Sequence, residues 1–311
     1  MSKKVDGLWF SDDALVVLRA GESIFRLPKS ILAARSPVFQ AMLEFPQPTA
    51  SVRDSMMDAD EMIDGSPVVC MPDSATDLEP FLRAIFDSSY FMPPTAKFDF
   101  HALLGILRLS HKYDVGYLYK RAVCHMETIY PIEMDRIEGI RSNNLDYHQE
   151  IGLTLTAIPV LHEVGATWLL PYAYYNVAEF PSGALISAGE PWDKCGADMK
   201  QTCFLLLPVQ IRATERLSHA LTTPSTCASS DTCDLLKFRF LRTRDGLHQC
   251  PLSEFLFSGW KEFENELCPD CATQAHTQYN SVRAKIWEEL PANCGLEKWE
   301  VLLERRRAAL E

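Results

Sequence analysis

The stretch Ser11-Asp12-Asp13-Ala14-Leu15-Val16-Val17-Leu18-Arg19-Ala20-Gly21-Glu22-Ser23-Ile24-Phe25-Arg26-Leu27-Pro28-Lys29-Ser30-Ile31-Leu32-Ala33-Ala34-Arg35-Ser36-Pro37-Val38-Phe39 decides the fold. Residues 14–18 and 24–27 are short β-favouring runs. Residues 19–23 between them are turn-like with Gly21 at the centre, so the segment predicts a β-hairpin. Ser36-Pro37 then carries a helix start, because a serine oxygen accepts the free amide hydrogens of a first turn and proline presets its φ angle. Val38, Phe39, Met42 and Leu43 follow at helical spacing.

Downstream, residues 45–66 are broken by Pro46, Pro48 and Gly65 and loaded with Asp54, Asp58, Asp60, Glu61 and Asp64, the composition of an exposed acidic loop. Residues 68–71 read as a short buried strand stopped by Pro72. Three amphipathic helices come next, with apolar faces at Leu78, Phe81, Leu82, Ile85 and Phe86, at Phe100, Leu103, Leu104 and Leu107, and at Val115, Leu118, Ala122, Met126 and Ile129. Asp99 is placed to cap the second, and residues 111–114 separate the second from the third. Such stripes are ordinary core packing and name no function by themselves.

From Ile158 the pattern stays helical through Leu161, Trp168 and Tyr172, with Pro171 expected to end or kink that helix. Residues 199–221 repeat the situation with Pro208, and residues 181–196 between them read as a loop. Two short helices are expected around Trp287 and Trp299, separated by Pro291 and Gly295. The sequence shows no internal repeat.

The opening residues resemble the BTB/POZ family: Ser11 to Ala14 opening a strand, Phe25-Arg26-Leu27-Pro28 closing the hairpin, and Ser30-Ile31-Leu32-Ala33-Ala34-Arg35-Ser36-Pro37-Val38-Phe39. The resemblance implies an α+β fold, a short-stranded sheet capped by helical hairpins. Its expected order is hairpin, helical pair, strand, helix and a further helical hairpin. The chain accordingly divides into a BTB/POZ domain over residues 1–135, a helical middle over 136–221, and a cysteine-bearing region over 222–311 that ends in two helices. More weakly, residues 136–311 resemble the helical, cysteine-bearing tails attached to BTB domains in fungal sequences. One departure is Pro28, where the family often has histidine; the change removes a backbone donor.

What the resemblance implies for function is non-enzymatic protein–protein interaction, most simply a homodimer or a scaffold. The family's charged pair maps to Asp13 and Lys29, and a two-fold interface would draw apolar area from Leu8, Trp9, Phe10, Ile31 and Leu32. Trp9 is the best single anchor, having large area and few rotamers, although it equally fits a side chain folded back on its own domain. A second implied role is substrate adaptor on a cullin ubiquitin-ligase scaffold. Recognition there favours an apolar residue two places before a glutamate, for which Met42-Leu43-Glu44 is the neat match and Ala59-Asp60-Glu61 a poor one. A third is transcriptional co-regulation through protein contacts.

The ten cysteines carry the sharpest chemical pattern. Residues 1–6 do not lead into the apolar core of a signal peptide and no apolar run reaches the roughly 20 residues of a membrane span, so the expectation is an intracellular protein, cytoplasmic or nuclear, with reduced thiols. Cys227 and Cys233, with five residues between them, precede Cys268 and Cys271, whose two intervening residues are the spacing of zinc knuckles. Together the four would surround one structural zinc ion, with Cys250, His248 or His276 near enough in sequence to replace a ligand. The same residues also fit separately buried reduced thiols.

A formal net charge of −12 repels phosphate backbones, so direct nucleic-acid binding is not expected. The basic run Arg305-Arg306-Arg307 reads as a solvated helix face before it reads as a binding patch. There is no Gly-rich phosphate loop, no Gly-x-Ser-x-Gly elbow and no His-Glu-x-x-His helix, and the histidines are scattered.

Overall fold

The computed structural model describes residues 15–44, 62–63, 66–94, 98–137, 147–242, 251–252 and 260–311. The chain divides into two compact units, Met1–His125 and Met126–Glu311. Both helix and strand are present, so the α+β class holds.

The first unit is built on β1 (Leu15–Ala20). It pairs antiparallel with β2 (Ser23–Pro28), Leu18 facing Phe25 and Ala20 facing Ser23, which leaves Gly21 and Glu22 as a two-residue turn. Gly21 has φ +56°, the sign that the first central position of such a turn demands. Helices α1 (Lys29–Arg35) and α2 (Pro37–Glu44) follow. The chain then returns through β3 (Met62–Ile63) and β4 (Ser66–Cys70), β4 lying parallel to β1 in a sheet of order β2-β1-β4-β3. Val16, Val17 and Leu18 are all buried, the signature of a central strand covered on both faces. Pro28 closes β2 opposite Leu15, at an end of the edge strand where a missing amide hydrogen is tolerated.

Ser36 is the joint of this unit. Its buried Oγ accepts the amide hydrogen of Phe39 at 3.0 Å and donates to the carbonyl of Tyr113 at 2.5 Å. Phe39 stacks on the Tyr113 ring with centroids 4.5 Å apart, and Tyr113 lies 5.8 Å from Phe81. Burial pushes the Tyr113 phenol well above its usual range, and its hydroxyl donates to Asp73 at 2.5 Å.

Helices α3 (Ala75–Phe86), α4 (Phe100–Lys112) and α5 (Gly116–Ile129) bury the predicted faces, Phe86, Phe100 and Ile129 only partly. Ser74 caps α3 and Asp99 caps α4, accepting from Asp77 N at 3.1 Å and Ala102 N at 2.7 Å. A Cβ at Gly105 of α4 would sit 2.9 Å from the Asp77 backbone, so glycine permits this close crossing of α3 and α4.

Two expectations for this unit change. Residues 62–63, inside the predicted acidic loop, form β3 because they pair antiparallel with β4; residues 45–61 of that loop lie outside the described residues. The strand at 68–71 is only partly buried, with Cys70 exposed and Met71 the buried member.

The second unit is helical and centres on α7 (Leu170–Ala178), all nine residues of which are buried. Before it, α6 (Tyr147–Glu163) ends near Gly165, at φ +70°, followed by a 3-10 turn Thr167–Leu169. Pro171 therefore opens a helix instead of ending one, because proline lacks only an amide hydrogen that a first turn leaves unused. The predicted loop at 181–196 holds two short helices, α8 (Ser182–Ser187) and α9 (Glu190–Asp193).

Helix α10 (Ala197–Leu221) runs unbroken through the exposed Pro208. Helices α11 (Ser230–Arg242), α12 (Trp260–Glu266) and α13 (Pro269–Asn293) follow. The helix about Trp287 is thus 25 residues long, with Pro291 inside its last turn and Gly295 (φ +72°) beyond it. Trp287 stacks on Trp299 of α14 (Trp299–Leu310) at 4.7 Å.

Residues 136–221 and 222–311 share one core. Gln210 of α10 donates to Tyr175 O at 3.3 Å, Tyr175 Oη accepts from Leu252 N at 2.8 Å, and Arg283 of α13 donates to Leu252 O at 2.8 Å. The basic run on α14 is engaged internally: Arg305 pairs with Glu297, Arg306 holds Glu127 through two bonds, and Arg307 lies 4.0 Å from Glu304. Among the described residues no helix is long and apolar enough to cross a membrane.

Candidate metal centre

Cys268 and Cys271 owe their proximity to the start of α13. Cys268 stands at the N-cap in extended conformation, Pro269 opens the helix, and Cys271 lies in its first turn. The two sulfurs therefore point to one spot, and the amide hydrogen of Cys271 is directed at Cys268 Sγ. Cys233 lies in α11, and Cys227 in the segment that joins α10 to α11.

All four sulfurs lie within 4.8 Å of one another. Cys227 Sγ is 3.8 Å from Cys233 Sγ and 3.5 Å from Cys271 Sγ. A disulfide would need about 2.05 Å. A tetrahedral zinc ion with Zn–S bonds near 2.3 Å sets sulfurs about 3.8 Å apart. The Cys227–Cys233 and Cys227–Cys271 separations fit the second geometry and not the first. Cys233 and Cys271 are buried, while Cys227 and Cys268 are half-exposed, which leaves a side of the cluster open to entry.

An apolar cluster supports the site: Leu217, Leu221, Phe240, Phe263, Leu267, Ala275 and Tyr279 pack around Cys233 and Cys271. Phe240 and Phe263 stack at 4.1 Å. The polar surroundings were not foreseen in sequence. Ser225 Oγ lies 3.2 Å from Cys271 Sγ, Ser225 N donates to Asp234 Oδ1 at 2.9 Å, and Lys237, 1% exposed, donates to Thr223 O at 2.8 Å. The available signal was periodicity, since Lys237 follows Cys233 by one helical turn and so shares its face.

The four thiols do not share one acidity. The Cys271 amide hydrogen aimed at its sulfur holds Cys268 down to about 7, while desolvation pushes Cys227 up to about 12. A metal ion would have to displace the remaining protons, so its affinity falls as pH falls.

The other site residues fall as follows. Trp9, Phe10 and Asp13 lie outside the described residues, as do His248 and Cys250. Lys29 and Ile31 are half-exposed on α1. Leu32 is wholly buried and is the residue by which α1 packs into its own unit. Met42, Leu43 and Glu44 lie inside α2, with Glu44 bonded to Gln40 at 3.0 Å. His276 is on α13 beside the Trp260 ring and is not one of the four residues of the sulfur cluster. His125 is a packed histidine, stacked on Phe91 and bonded to Met92 O at 2.7 Å, with burial lowering its pKa.

No protein-family model, no curated protein and no solved structure matches this chain.

Proposed function

We propose that the protein is a non-catalytic interaction scaffold of the BTB/POZ type whose helical second unit is fastened by one structural zinc ion on Cys227, Cys233, Cys268 and Cys271. The observation that carries the zinc assignment is the sulfur geometry, with separations of 3.5 and 3.8 Å in a set of four. Four thiolates fill the coordination of a tetrahedral ion and leave no position for water or substrate, which makes the centre structural instead of hydrolytic.

The interaction reading is supported by element order. Hairpin, helical pair, strand returning parallel to β1, helix and helical hairpin follow one another through Ile129 in the sequence the BTB/POZ resemblance implies. A dimer would form through the amino-terminal residues and α1. The adaptor reading ranks below it, because Met42-Leu43-Glu44 is folded into α2 where the family's recognition segment is a loop.

Light scattering on the full chain tests the scaffold: the expected mass is twice 35.2 kDa, reduced towards one chain by Trp9→Ala. A monomeric wild type at tens of micromolar, where dimers of standard interface size persist, would remove dimerisation from the reading. Elemental analysis is expected to give one zinc per chain, and less than half an equivalent after reconstitution would count against the four-thiolate centre.

A further inference from the structure

Cys233 and Cys271 are carried by helical turns and Cys268 by the N-cap of α13, which fix them, but Cys227 belongs to the non-helical segment between Leu221 and Ser230. A ligand on such a segment swings unless the segment itself is tied. Two bonds tie it to α11: Lys237 Nζ to Thr223 O at 2.8 Å, and Ser225 N to Asp234 Oδ1 at 2.9 Å. Lys237 and Asp234 also lie 3.6 Å apart.

The burial of Lys237 calls for a reason of its own. Lysine is almost never fully buried unless its charge is compensated. Its ion-pair partner Asp234 is 41% exposed against 1% for the lysine, so water screens the carboxylate and leaves the ammonium undercompensated. One turn before it on the same helix face stands Cys233, in the cluster where four thiolates around a divalent cation keep two negative charges.

We propose that Lys237, Asp234 and Ser225 are positioning residues of the metal centre. They latch the Cys227 segment onto α11 in ligating geometry, and the Lys237 ammonium offsets the negative charge of the thiolate-bound ion. Ser225 adds a donor, its hydroxyl turning towards Cys271 Sγ once that sulfur is a thiolate. This inference rests on the zinc reading of the same site. It goes beyond that reading by predicting which residues outside the ligand set govern affinity.

The test is a zinc titration of the full chain against a competing chelator, with cobalt(II) absorption as a second readout of sulfur ligation. Wild type is expected to take one equivalent and to show cobalt–thiolate bands of a four-sulfur site. Lys237→Met should bind zinc about 10- to 100-fold more weakly, the usual effect of removing a group that orients metal ligands. Lys237→Gln, which keeps a donor for Thr223 O without the charge, should fall between, and Asp234→Ala and Ser225→Ala should each weaken binding several-fold. A purely structural lysine would change stability but not the affinity difference between the Met and Gln variants.

Wild-type affinity in folded Lys237→Met and Asp234→Ala chains would overturn the inference while leaving the zinc centre standing. A wild type that takes up no zinc and no cobalt would instead defeat the zinc reading itself. Should Lys237→Met not fold, Asp234→Ala and Ser225→Ala decide by the same titration, and unchanged affinity in both overturns the proposal.

Discussion

Around β1 the first unit buries Val16, Leu18, Phe39, Phe81 and Leu107 without residual exposure, whereas around the four cysteines the second unit buries Phe240, Phe263 and Tyr279 together with two thiols and a lysine. The first region is held by its own apolar contacts, helix caps, the Ser36 bonds and the Tyr113–Asp73 bond. The second places thiols and a charge where the first places leucines. Reduced thiols pack as small hydrophobes, but a buried ammonium costs free energy unless something opposite in charge lies near. The two regions should therefore answer differently to the same perturbation, and metal is the perturbation that separates them.

Chelation has the largest expected effect. Structural zinc contributes about 10–16 kcal/mol of apparent binding free energy in small finger peptides. A site set in a larger helical unit should lose part of that, roughly 5 kcal/mol or more. Hydrogen exchange on the full chain is the measurement: with zinc removed, protection should fall in α11, α12 and the first turns of α13, while β1, β4, α3 and α4 stay unchanged. Equal loss in both units, or none in either, would show that the cysteine cluster does not fasten the second unit alone.

The reciprocal experiment perturbs the first unit. Phe39→Ala removes a ring that is 0% exposed and stacked on Tyr113. The expected cost is about 3–5 kcal/mol in denaturant unfolding, the range for large-to-small changes of a buried aromatic. Zinc content should stay at its wild-type value. Ser36→Ala is smaller, about 1–2 kcal/mol, for the loss of one helix cap and of the bond to Tyr113 O.

These contrasts also explain what the sequence disclosed. In the first unit local signals agree with one another: the glycine turn, the serine cap before Pro37, the aspartate cap before Phe100, and apolar faces at period 3.6. Hairpin, caps and three helices were therefore legible. In the second unit the prolines predict helix breaks that the fold does not make. Pro171 sits in a first turn, Pro208 lies on the exposed face of α10 and Pro291 in the last turn of α13, positions where tertiary packing outweighs the missing hydrogen bond. The four cysteines were legible as two pairs, because one pair has the two-residue spacing that a helix start converts into convergence. Asp234, Lys237 and Ser225 were not, since charged and hydroxyl residues at helical spacing usually mark a solvated face, and only the fold shows Lys237 turned inward.

The smallest effect is the sharpest within the second unit, because it sets one thiol against another in a single metal-free sample. Cys268 is held down to about 7, first by the Cys271 amide hydrogen, whereas desolvation pushes the fully buried Cys203 of α10 up to about 12. Thiolates alkylate and thiols do not. At pH 7.5 a group of pKa about 7 is mostly ionised and one near 12 almost wholly protonated. Iodoacetamide followed by peptide mass spectrometry should therefore label Cys268 at least tenfold faster than Cys203. Lowering the pH from 7.5 to 6 carries the system below the Cys268 pKa, so its labelling rate should drop roughly eightfold. Zinc should abolish the difference by occupying the Cys268 sulfur. If Cys268 labels no faster than Cys203 in the metal-free chain, or labels equally fast with zinc present, the convergence of the four thiols at the start of α13 is not the arrangement found in solution.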